Sequence, residues 1–280
     1  MGEISAAQVK ELREATNVGM MECKKALEEA GGDREKAIKF LRERGLAVAG
    51  KKASRAVKSG LIAAGSFDDG RTGVMIEVNC ETDFVARNDN FQRFVAQMLE
   101  RARDVDGELA ARVQDDVAAK IAEIGENIVV RRNIRFAAQG PGAIGCYIHL
   151  GSKVGVMVEL GCGRAETASA AGFRDLLKDL TLHVAACSPS FLDRAAVPAE
   201  VQAAERAIYA KQVQNKPPPI VDKIVAGKLE KYFALACFVE QAFVKDPDTS
   251  VAKLLAARGK ELGDSLAIRR FVRYQLGEEN

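Results

Sequence analysis

The chain contains an internal repeat, which constrains its fold more than any other feature. Shifted by 82 positions, residues 60–91 align without a gap with residues 142–173. A second match, at a shift of 138 positions, pairs GENIVVRRNIRF (125–136) with GDSLAIRRFVRY (263–274). Because the same segments occur twice in the same order, we predict an internally duplicated core. The identical positions include Gly60 with Gly142, Glu77 with Glu159, and Cys80 with Cys162.

Each copy has the pattern strand, turn, strand, helix, helix, strand. Alternating apolar residues in VMIEV (74–78) and VMVEL (156–160) indicate half-buried antiparallel strands. Apolar residues at helical spacing follow in both copies: Phe91, Phe94, Val95 and Met98, then Phe173, Leu176, Leu177 and Leu180. We therefore predict an α+β fold with two halves packed side by side, each an antiparallel sheet with helices.

The second copy carries an insertion of 56 residues, the difference between the two shifts, between Cys187 and about Val251. Two helical runs lie in it, separated by a break at Asn215-Lys216-Pro217-Pro218-Pro219. This pattern predicts a helical hairpin. Either the hairpin projects and touches a partner or another subunit, or it folds back on its own core.

The first forty-five residues predict a small bundle of three helices. Ser5 and Gln8 form a capping box at the start of the first helix. Asn17 and Gly19 end that helix, and a second helix follows. Asp33 caps the third helix, which we expect to end at Gly45.

The adjacent methionines Met20 and Met21 begin the second helix, directly after a turn glycine. Two neighbouring side chains cannot both face one small core, so one of them is expected at the surface. A flexible thioether there suits a partner groove. The alternative, that both fill gaps in the core, is equally consistent with the sequence.

Residues 42–58 are basic, with six Lys and Arg against Glu43 alone. A nucleic-acid-binding arm would have this charge, but no aromatic side chain is interleaved for base stacking. The net charge of the whole chain is only +2. A solvated linker or helix is therefore favoured. The predicted domains are a helical bundle (1–46), a basic linker (47–58), a first core half (59–140) and a second core half (141–280) with the hairpin at about 190–245.

The two copies differ most at the loop after their second strand. Glu81-Thr82-Asp83-Phe84-Val85 in the first copy becomes Gly163-Arg164-Ala165-Glu166-Thr167 in the second. A phenylalanine needed only for packing would be replaced by another apolar residue. We therefore interpret Phe84 as an exposed aromatic suited to a partner's pocket. The alternative is a loop phenylalanine folded under its own helix.

Motifs of catalysis are absent from the sequence. It contains no GxxxxGK[ST], GxSxG or HExxH. Only His149 and His183 supply imidazole, and a structural role is favoured for both. The six cysteines are scattered and predict reduced core thiols. With no signal peptide and no apolar run of membrane-spanning length, we expect a cytoplasmic protein that is not an enzyme and holds no cofactor or metal.

Several long segments together resemble the bacterial elongation factor Ts family. The two longest are VKELREATNVGMMECKKALEEAGGDREKAIKFLRERG (9–45) and VNCETDFVARNDNF (78–91). Shorter matches are GENIVVRR, HVAACSP and FVKDP, so the resemblance extends over nearly the whole chain. It implies a guanine-nucleotide exchange factor for elongation factor Tu, which binds that partner with GDP and without nucleotide.

The resemblance also implies roles for particular residues. The N-terminal unit would be a ubiquitin-associated-like (UBA-like) bundle that docks on the partner's GTPase domain, with contact residues Leu12, Arg13, Met20 and Met21. Thr82, Asp83, Phe84 and Val85 would dislodge the partner's Mg²⁺. His149, in the second half, would contact another domain of the partner.

The hairpin would be the coiled-coil arm of the family. A homodimer or a 2:2 complex with the partner stays open, and no direct contact with nucleic acid or membrane is implied. Two other classes of function compete. One is a general binding module based on the bundle alone, and the other is an RNA-associated protein that uses residues 42–58. An enzyme with a Cys/His pair is a more distant third.

Overall fold

The computed structural model describes residues 4–16, 18–213 and 217–278. Predictions on Asn17, Asn215 and Lys216 therefore lie outside the described residues. The chain divides into two compact units. The first contains the described residues of Met1–Ala63, Val74–Arg135 and Gln275–Asn280, and the second contains Ala64–Gly73 and Phe136–Tyr274.

Three helices form the predicted N-terminal bundle: α1 (Ala6–Thr16), α2 (Met20–Glu29) and α3 (Arg34–Lys52). The capping box at Ser5 is confirmed, since the Gln8 amide donates to Ser5 Oγ at 3.3 Å and the Ser5 amide to Gln8 Oε1 at 2.9 Å. Asp33 caps α3 by accepting from the Lys36 amide at 3.1 Å. A single apolar cluster holds the helices together: Val9, Leu12, Cys23, Ala26, Leu27, Ala37 and Leu41.

The first copy of the repeat follows the predicted order of elements. It consists of β1 (Ser59–Phe67), β2 (Thr72–Cys80), α4 (Asp83–Ala86), α5 (Asp89–Arg103), α6 (Gln114–Ile124) and β3 (Ile128–Ala137). The three strands form one sheet in the order β1-β2-β3. β2 is buried at all nine positions, so the expectation of a half-buried strand is wrong: as the central strand, β2 is covered on both faces.

The second copy repeats this order around its insertion. Its elements are β4 (Gly142–His149), β5 (Val154–Cys162), α7 (Ala165–Ser169), α8 (Ala171–Cys187), α9 (Ala199–Gln212), α10 (Pro218–Ala236), β6 (Ala242–Phe243), β7 (Asp246–Ser250), α11 (Val251–Leu262) and β8 (Leu266–Gln275). The sheet order β4-β5-β8 matches that of the first copy. β4 and β5 are antiparallel, with Gly142 opposite Gly161, and β5 is again buried throughout.

The third helix of the bundle continues past Gly45, so the prediction that it ends there is wrong. A Cβ atom on Gly45 would lie 3.6 Å from the Ala118 carbonyl oxygen of α6. This is an ordinary van der Waals distance, so the contact between α3 and α6 does not require a glycine at this position. Residues 47–52 of the predicted basic linker are the last turns of this helix.

Two helices occupy the insertion, as predicted. α9 and α10 pack against each other around an apolar cluster of Val197, Val225, Leu229, Phe233 and Cys237. Pro217 precedes α10, which begins at Pro218. This placement fits the preference of proline for the first turn of a helix.

The repeated glycines have a shared structural cause. Gly60 and Gly142 have φ values of 148° and 143°. A Cβ atom at either position would lie 2.3 Å from a carbonyl oxygen of the neighbouring strand, that of Val78 or that of Leu160. Only glycine permits the two strands to approach this closely.

Each copy also buries one glutamate in its central strand. Glu77 has no exposed surface, and its carboxylate pairs with Arg131 at 3.0 Å and Arg132 at 2.7 Å. The same arrangement in the second copy joins Glu159 to Arg269 at 3.3 Å and Arg270 at 2.7 Å. Two guanidinium groups compensate each buried charge, so these carboxylates belong to the scaffold.

Candidate functional site

The segment Thr82–Val85 forms the turn that follows the buried strand β2. Thr82 caps the short helix α4, because its Oγ1 accepts a hydrogen bond from the Val85 amide at 3.3 Å. Phe84 lies in the first turn of α4 with 82% of its surface exposed. The alternative that Phe84 folds under its own helix is therefore wrong.

A second turn, after α6, holds the Phe84 segment in place. Glu126 Oε2 accepts from the Thr82 amide at 3.0 Å, and Glu126 Oε1 accepts from Thr82 Oγ1 at 2.6 Å. In the opposite direction, the Asn127 amide donates to Glu81 Oε1 at 2.6 Å. We call these four residues, Glu81, Thr82, Glu126 and Asn127, the clasp.

The clasp also reaches the segment that follows α3. The Asn127 side-chain amide donates to the Arg55 carbonyl oxygen at 2.9 Å. The Arg55 guanidinium pairs with Glu81 at 3.5 Å. Residues 53–55 are thus tied to the same pair of turns that holds Phe84.

The corresponding turn in the second copy is also supported by a carboxylate from a distant turn, but it exposes a different residue. Asp264, at the position equivalent to Glu126, accepts from the Arg164 amide at 2.9 Å and from Thr167 Oγ1 at 2.6 Å. These hydrogen bonds lower the pKa of the Asp264 carboxyl. Glu166 takes the place of Phe84 and is also exposed. The exposed aromatic is therefore not required by the duplicated scaffold.

Asp83 lies beside Phe84 and is exposed. Its carboxylate pairs with Arg87, one turn later, at 3.1 Å. Within residues 4–16, 18–213 and 217–278, no group of three or more His, Cys, Asp or Glu side chains is placed to hold a metal ion. The segment Thr82–Val85 thus offers a rigid backbone, one carboxylate and one large apolar side chain.

A second exposed apolar surface lies on the N-terminal bundle. Met20 is 51% exposed and Met21 is 64% exposed, so both methionines lie at the surface rather than one. Arg13 is exposed on α1. Leu12, however, is fully buried in the bundle core, so the expectation that it contacts a partner is corrected: it holds the helices together.

Comparison with known proteins gives a consistent result. The family model described as Elongation factor TS matches residues 81–278. The elongation factor Ts of Trichlorobacter lovleyi is 44% identical over 290 aligned positions, which cover 98% of this chain and 93% of that relative. Its counterpart from Chloroherpeton thalassium is 42% identical over 295 positions and covers both chains completely. This chain belongs to the elongation factor Ts family.

Membership of the elongation factor Ts family makes this chain a translation elongation factor. The matched region begins at Glu81 and therefore includes the clasp, Phe84 and the whole second copy. The bundle with Met20 and Met21 lies outside that region, but the alignments with full-length elongation factors Ts extend over it, because they cover 98% to 100% of the chain.

His149 ends β4 in the second copy of the elongation factor Ts fold. It is exposed, and its Nδ1 lies 2.9 Å from the Tyr147 hydroxyl, with the two rings stacked. Leu150 follows with φ of 53° and 63% of its surface exposed. Leu150 was not singled out from the sequence, where it is an ordinary leucine in a turn.

His183 is structural, as its position on an apolar helix face predicted. It has no exposed surface and stacks on Phe238. Its Nε2 lies 2.8 Å from Gln241 Oε1, and its Nδ1 accepts from the Val244 amide at 3.1 Å. Nδ1 therefore carries no proton and the ring is neutral, and burial lowers the pKa of His183.

The six cysteines of the chain are free thiols, as predicted, but only four are buried in the core, since Cys146 and Cys187 are half-buried. Burial raises the pKa of Cys80 to about 12 and that of Cys237 to about 11. Thiols with such pKa values are almost fully protonated near neutral pH, and the thiolate is the nucleophilic form. A Cys/His nucleophile at these positions has no support.

Basic side chains around residues 42–58 make contacts within the protein. Arg44 pairs with Glu22 of α2 at 3.1 Å, Arg42 pairs with Asp115 of α6, and Lys52 donates to the Gly125 carbonyl oxygen. These contacts favour the interpretation of a solvated helix over that of a free basic arm.

Of the helices in the described ranges, none combines the length and apolar character needed to cross a bilayer.

Proposed function

We propose that this member of the elongation factor Ts family is a guanine-nucleotide exchange factor for elongation factor Tu. It would bind the GDP-bound partner in the cytoplasm, accelerate GDP release and leave when a new nucleotide binds. The observation that carries the proposal is Phe84, a large apolar side chain held in the solvent by a rigid turn. The protein would change no covalent bond, and so would not itself be an enzyme.

Two regions of the first unit supply the principal contacts. Met20, Met21 and Arg13 would place the UBA-like bundle on the partner's GTPase domain, since flexible thioethers adapt to an apolar groove. The segment Thr82–Val85 would enter near the partner's Mg²⁺ site. In the second unit, His149 would contact another domain of the partner, with its ring orientation held by Tyr147.

The exchange mechanism follows from the electrostatics of bound GDP. Mg²⁺ and backbone amides of the partner compensate the charge of the diphosphate. Insertion of Phe84 between side chains near the metal would displace the elements that hold it. Loss of the ion leaves the diphosphate poorly compensated, and the affinity for GDP falls.

This mechanism makes the binding of factor and of nucleotide mutually unfavourable. The coupling is reciprocal, because both ligands share one thermodynamic cycle. An incoming nucleotide with Mg²⁺ therefore displaces the factor as effectively as the factor displaces GDP. One molecule of factor can then act on many molecules of partner.

The polar residues of the segment would hold Phe84 in position rather than bind metal. Asp83 is one carboxylate, too few ligands for Mg²⁺, and it already pairs with Arg87. It would orient the turn or accept a hydrogen bond from the partner. Thr82 caps α4, because its Oγ1 accepts a hydrogen bond from the Val85 amide.

The α9–α10 hairpin would act as a coiled-coil arm. Ile208, Ile220 and Leu235 are exposed on it, which suits contact with a partner or with a second copy in a homodimer or 2:2 complex. Direct contact with nucleic acid or with a membrane forms no part of the proposal.

The test measures release of a fluorescent GDP analogue from elongation factor Tu, with excess unlabelled nucleotide and the factor at one-tenth of the partner concentration. The proposal predicts complete and strongly accelerated release, since each factor molecule turns over. No acceleration at micromolar factor would refute the proposed function. The absence of tryptophan from this chain keeps its fluorescence background low.

A further inference from the structure

The turn that carries Phe84 is supported from outside its own segment. Glu126 is separated from Thr82 by 44 positions, yet its carboxylate accepts both the amide and the hydroxyl hydrogen of Thr82, at 3.0 and 2.6 Å. Hydrogen bonds to an ionised carboxylate are stronger than those between neutral groups. The strongest polar contacts of the Phe84 turn therefore come from Glu126.

We propose that Glu126 is a positioning residue for Phe84. Its carboxylate holds the Thr82 turn in one conformation, so that Phe84 meets the partner already oriented. This inference rests on the proposed function, because orientation matters only if Phe84 acts on a partner. Glu126 itself lies outside the segment that enters the partner's site.

The hydroxyl group of Thr82 transmits the effect. By accepting the hydroxyl hydrogen, Glu126 turns the lone pairs of Thr82 Oγ1 toward the Val85 amide, which donates to it at 3.3 Å. Without the carboxylate the hydroxyl can rotate and the cap of α4 weakens. Phe84 lies in sequence between Thr82 and Val85, which this hydrogen bond joins. The orientation of Phe84 therefore depends on the bond.

The position of Glu126 is itself fixed by the helix before it. Gly125 ends α6 in the left-handed region, with φ of 86° and ψ of 6°, and this turns the chain toward β2. Lys120 and Glu123 of α6 both contact the Asn90 side chain of α5, at 3.0 and 2.6 Å. Glu126 is the second residue after α6, so the packing of α6 against α5 limits where its carboxylate can lie.

The second copy provides the matched control. Asp264 accepts from the Arg164 amide as Glu126 accepts from the Thr82 amide, and its second partner, Thr167 Oγ1, stands where the first copy has Val85. The exposed residue of that turn is Glu166 rather than an aromatic. Asp264→Ala and Glu126→Ala therefore each remove a carboxylate that supports one of the two equivalent turns. Only Glu126→Ala is expected to slow nucleotide exchange.

The experiment compares wild type, Glu126→Ala, Glu126→Gln, Asp264→Ala, Phe84→Ala and the double variant Phe84→Ala/Glu126→Ala. The rate of GDP release from elongation factor Tu is measured at saturating factor, with thermal unfolding as the measure of stability. We expect Glu126→Ala to slow release about 10- to 100-fold, as misplacement of a reacting group does. Glu126→Gln retains one acceptor oxygen and should recover part of this loss.

The remaining variants distinguish positioning from general stability. Asp264→Ala should lower the unfolding temperature as Glu126→Ala does but keep the wild-type release rate. In the Phe84→Ala background, Glu126→Ala should cause no further loss. A wild-type rate for Glu126→Ala, equal slowing by Asp264→Ala, or a full further loss in the double variant would each overturn the proposal.

A separate measurement on the free protein tests the positioning role of Glu126 independently of the proposed exchange function. Amide hydrogen exchange at Val85 should become faster in Glu126→Ala and stay at the wild-type rate in Asp264→Ala. If the wild-type factor does not accelerate GDP release from elongation factor Tu, the proposed function is refuted. Unchanged exchange at Val85 in Glu126→Ala would then refute the positioning role as well.

Discussion

Phe84 and Glu166 occupy equivalent positions in the two copies of the fold, and both are exposed in the first turn of a short helix after a buried strand. Equivalent carboxylates support the two turns, Glu126 in the first copy and Asp264 in the second. The scaffold was thus duplicated together with its support, and the chemistry of the exposed residue diverged. This divergence is the reason for proposing that the function of the first copy depends on Phe84.

The methionine pair gives a first prediction. Met20→Ala/Met21→Ala should raise the factor concentration needed for half-maximal exchange about tenfold or more, since truncation of a side chain at the centre of an interface costs more than about 1 kcal/mol. Stability should change little, because both side chains are exposed in the free protein. Exchange titrations and thermal unfolding measure the two effects.

The contrasting variant for that prediction is Leu12→Ala. Leu12 fills the bundle core, so its truncation should destabilise the bundle by about 2–5 kcal/mol. Amide hydrogen exchange across α1 measures this loss. If the methionine variant instead unfolds the bundle, or if it exchanges nucleotide with wild-type concentration dependence, the assigned surface is incorrect.

The buried glutamates give a second prediction. Glu77→Ala should lower the free energy of unfolding by about 3 kcal/mol, because it removes the buried carboxylate that both Arg131 and Arg132 contact. Glu159→Ala should cost a similar amount in the second copy. Asp106→Ala breaks only an exposed pair with Arg135 and should change stability little. Denaturant unfolding compares the three, and equal effects would contradict a scaffold role.

His183 gives a third prediction, on pH dependence. Burial lowers its pKa in the folded protein below the ordinary value of about 6.5, so the unfolded chain binds a proton first as the pH falls. The contribution to stability is therefore complete above about pH 6.5 and decreases as the pH falls toward the folded pKa. His183→Gln should show a smaller loss of unfolding free energy between about pH 7.5 and about pH 5.5. An identical loss would assign the pH dependence to other groups.

Local patterns predicted the order of elements because the repeat presents each of them twice. The capping residues Ser5 and Asp33 were also readable, since a cap depends on neighbours three positions away. Gly45 was misread as a helix end because glycine commonly follows the last turn of a helix. The local sequence does not show that α3 continues to Lys52 and packs against α6.

Burial was less predictable than secondary structure. The family resemblance implied that Leu12 contacts a partner, but Leu12 lies in the bundle core. Its burial depends on how the three helices pack, which the local sequence does not show. Glu126 was missed as a support for Phe84, although the second match of the repeat places an acidic residue at 126 and again at 264. The recurring acidic residue is the feature of the sequence that could have identified Glu126. Only its distance to Thr82 in the structure shows that it supports the Phe84 turn.

In the proposed mechanism Phe84 drives nucleotide release rather than merely adding affinity. The most direct measurement is the rate of GDP release from elongation factor Tu at saturating factor for wild type, Phe84→Ala and the matched variant Glu166→Ala, with binding to nucleotide-free partner measured in parallel. We expect Phe84→Ala to slow release strongly while binding is reduced much less, and Glu166→Ala to release GDP at the wild-type rate. Release by Phe84→Ala at the wild-type rate would contradict this mechanism.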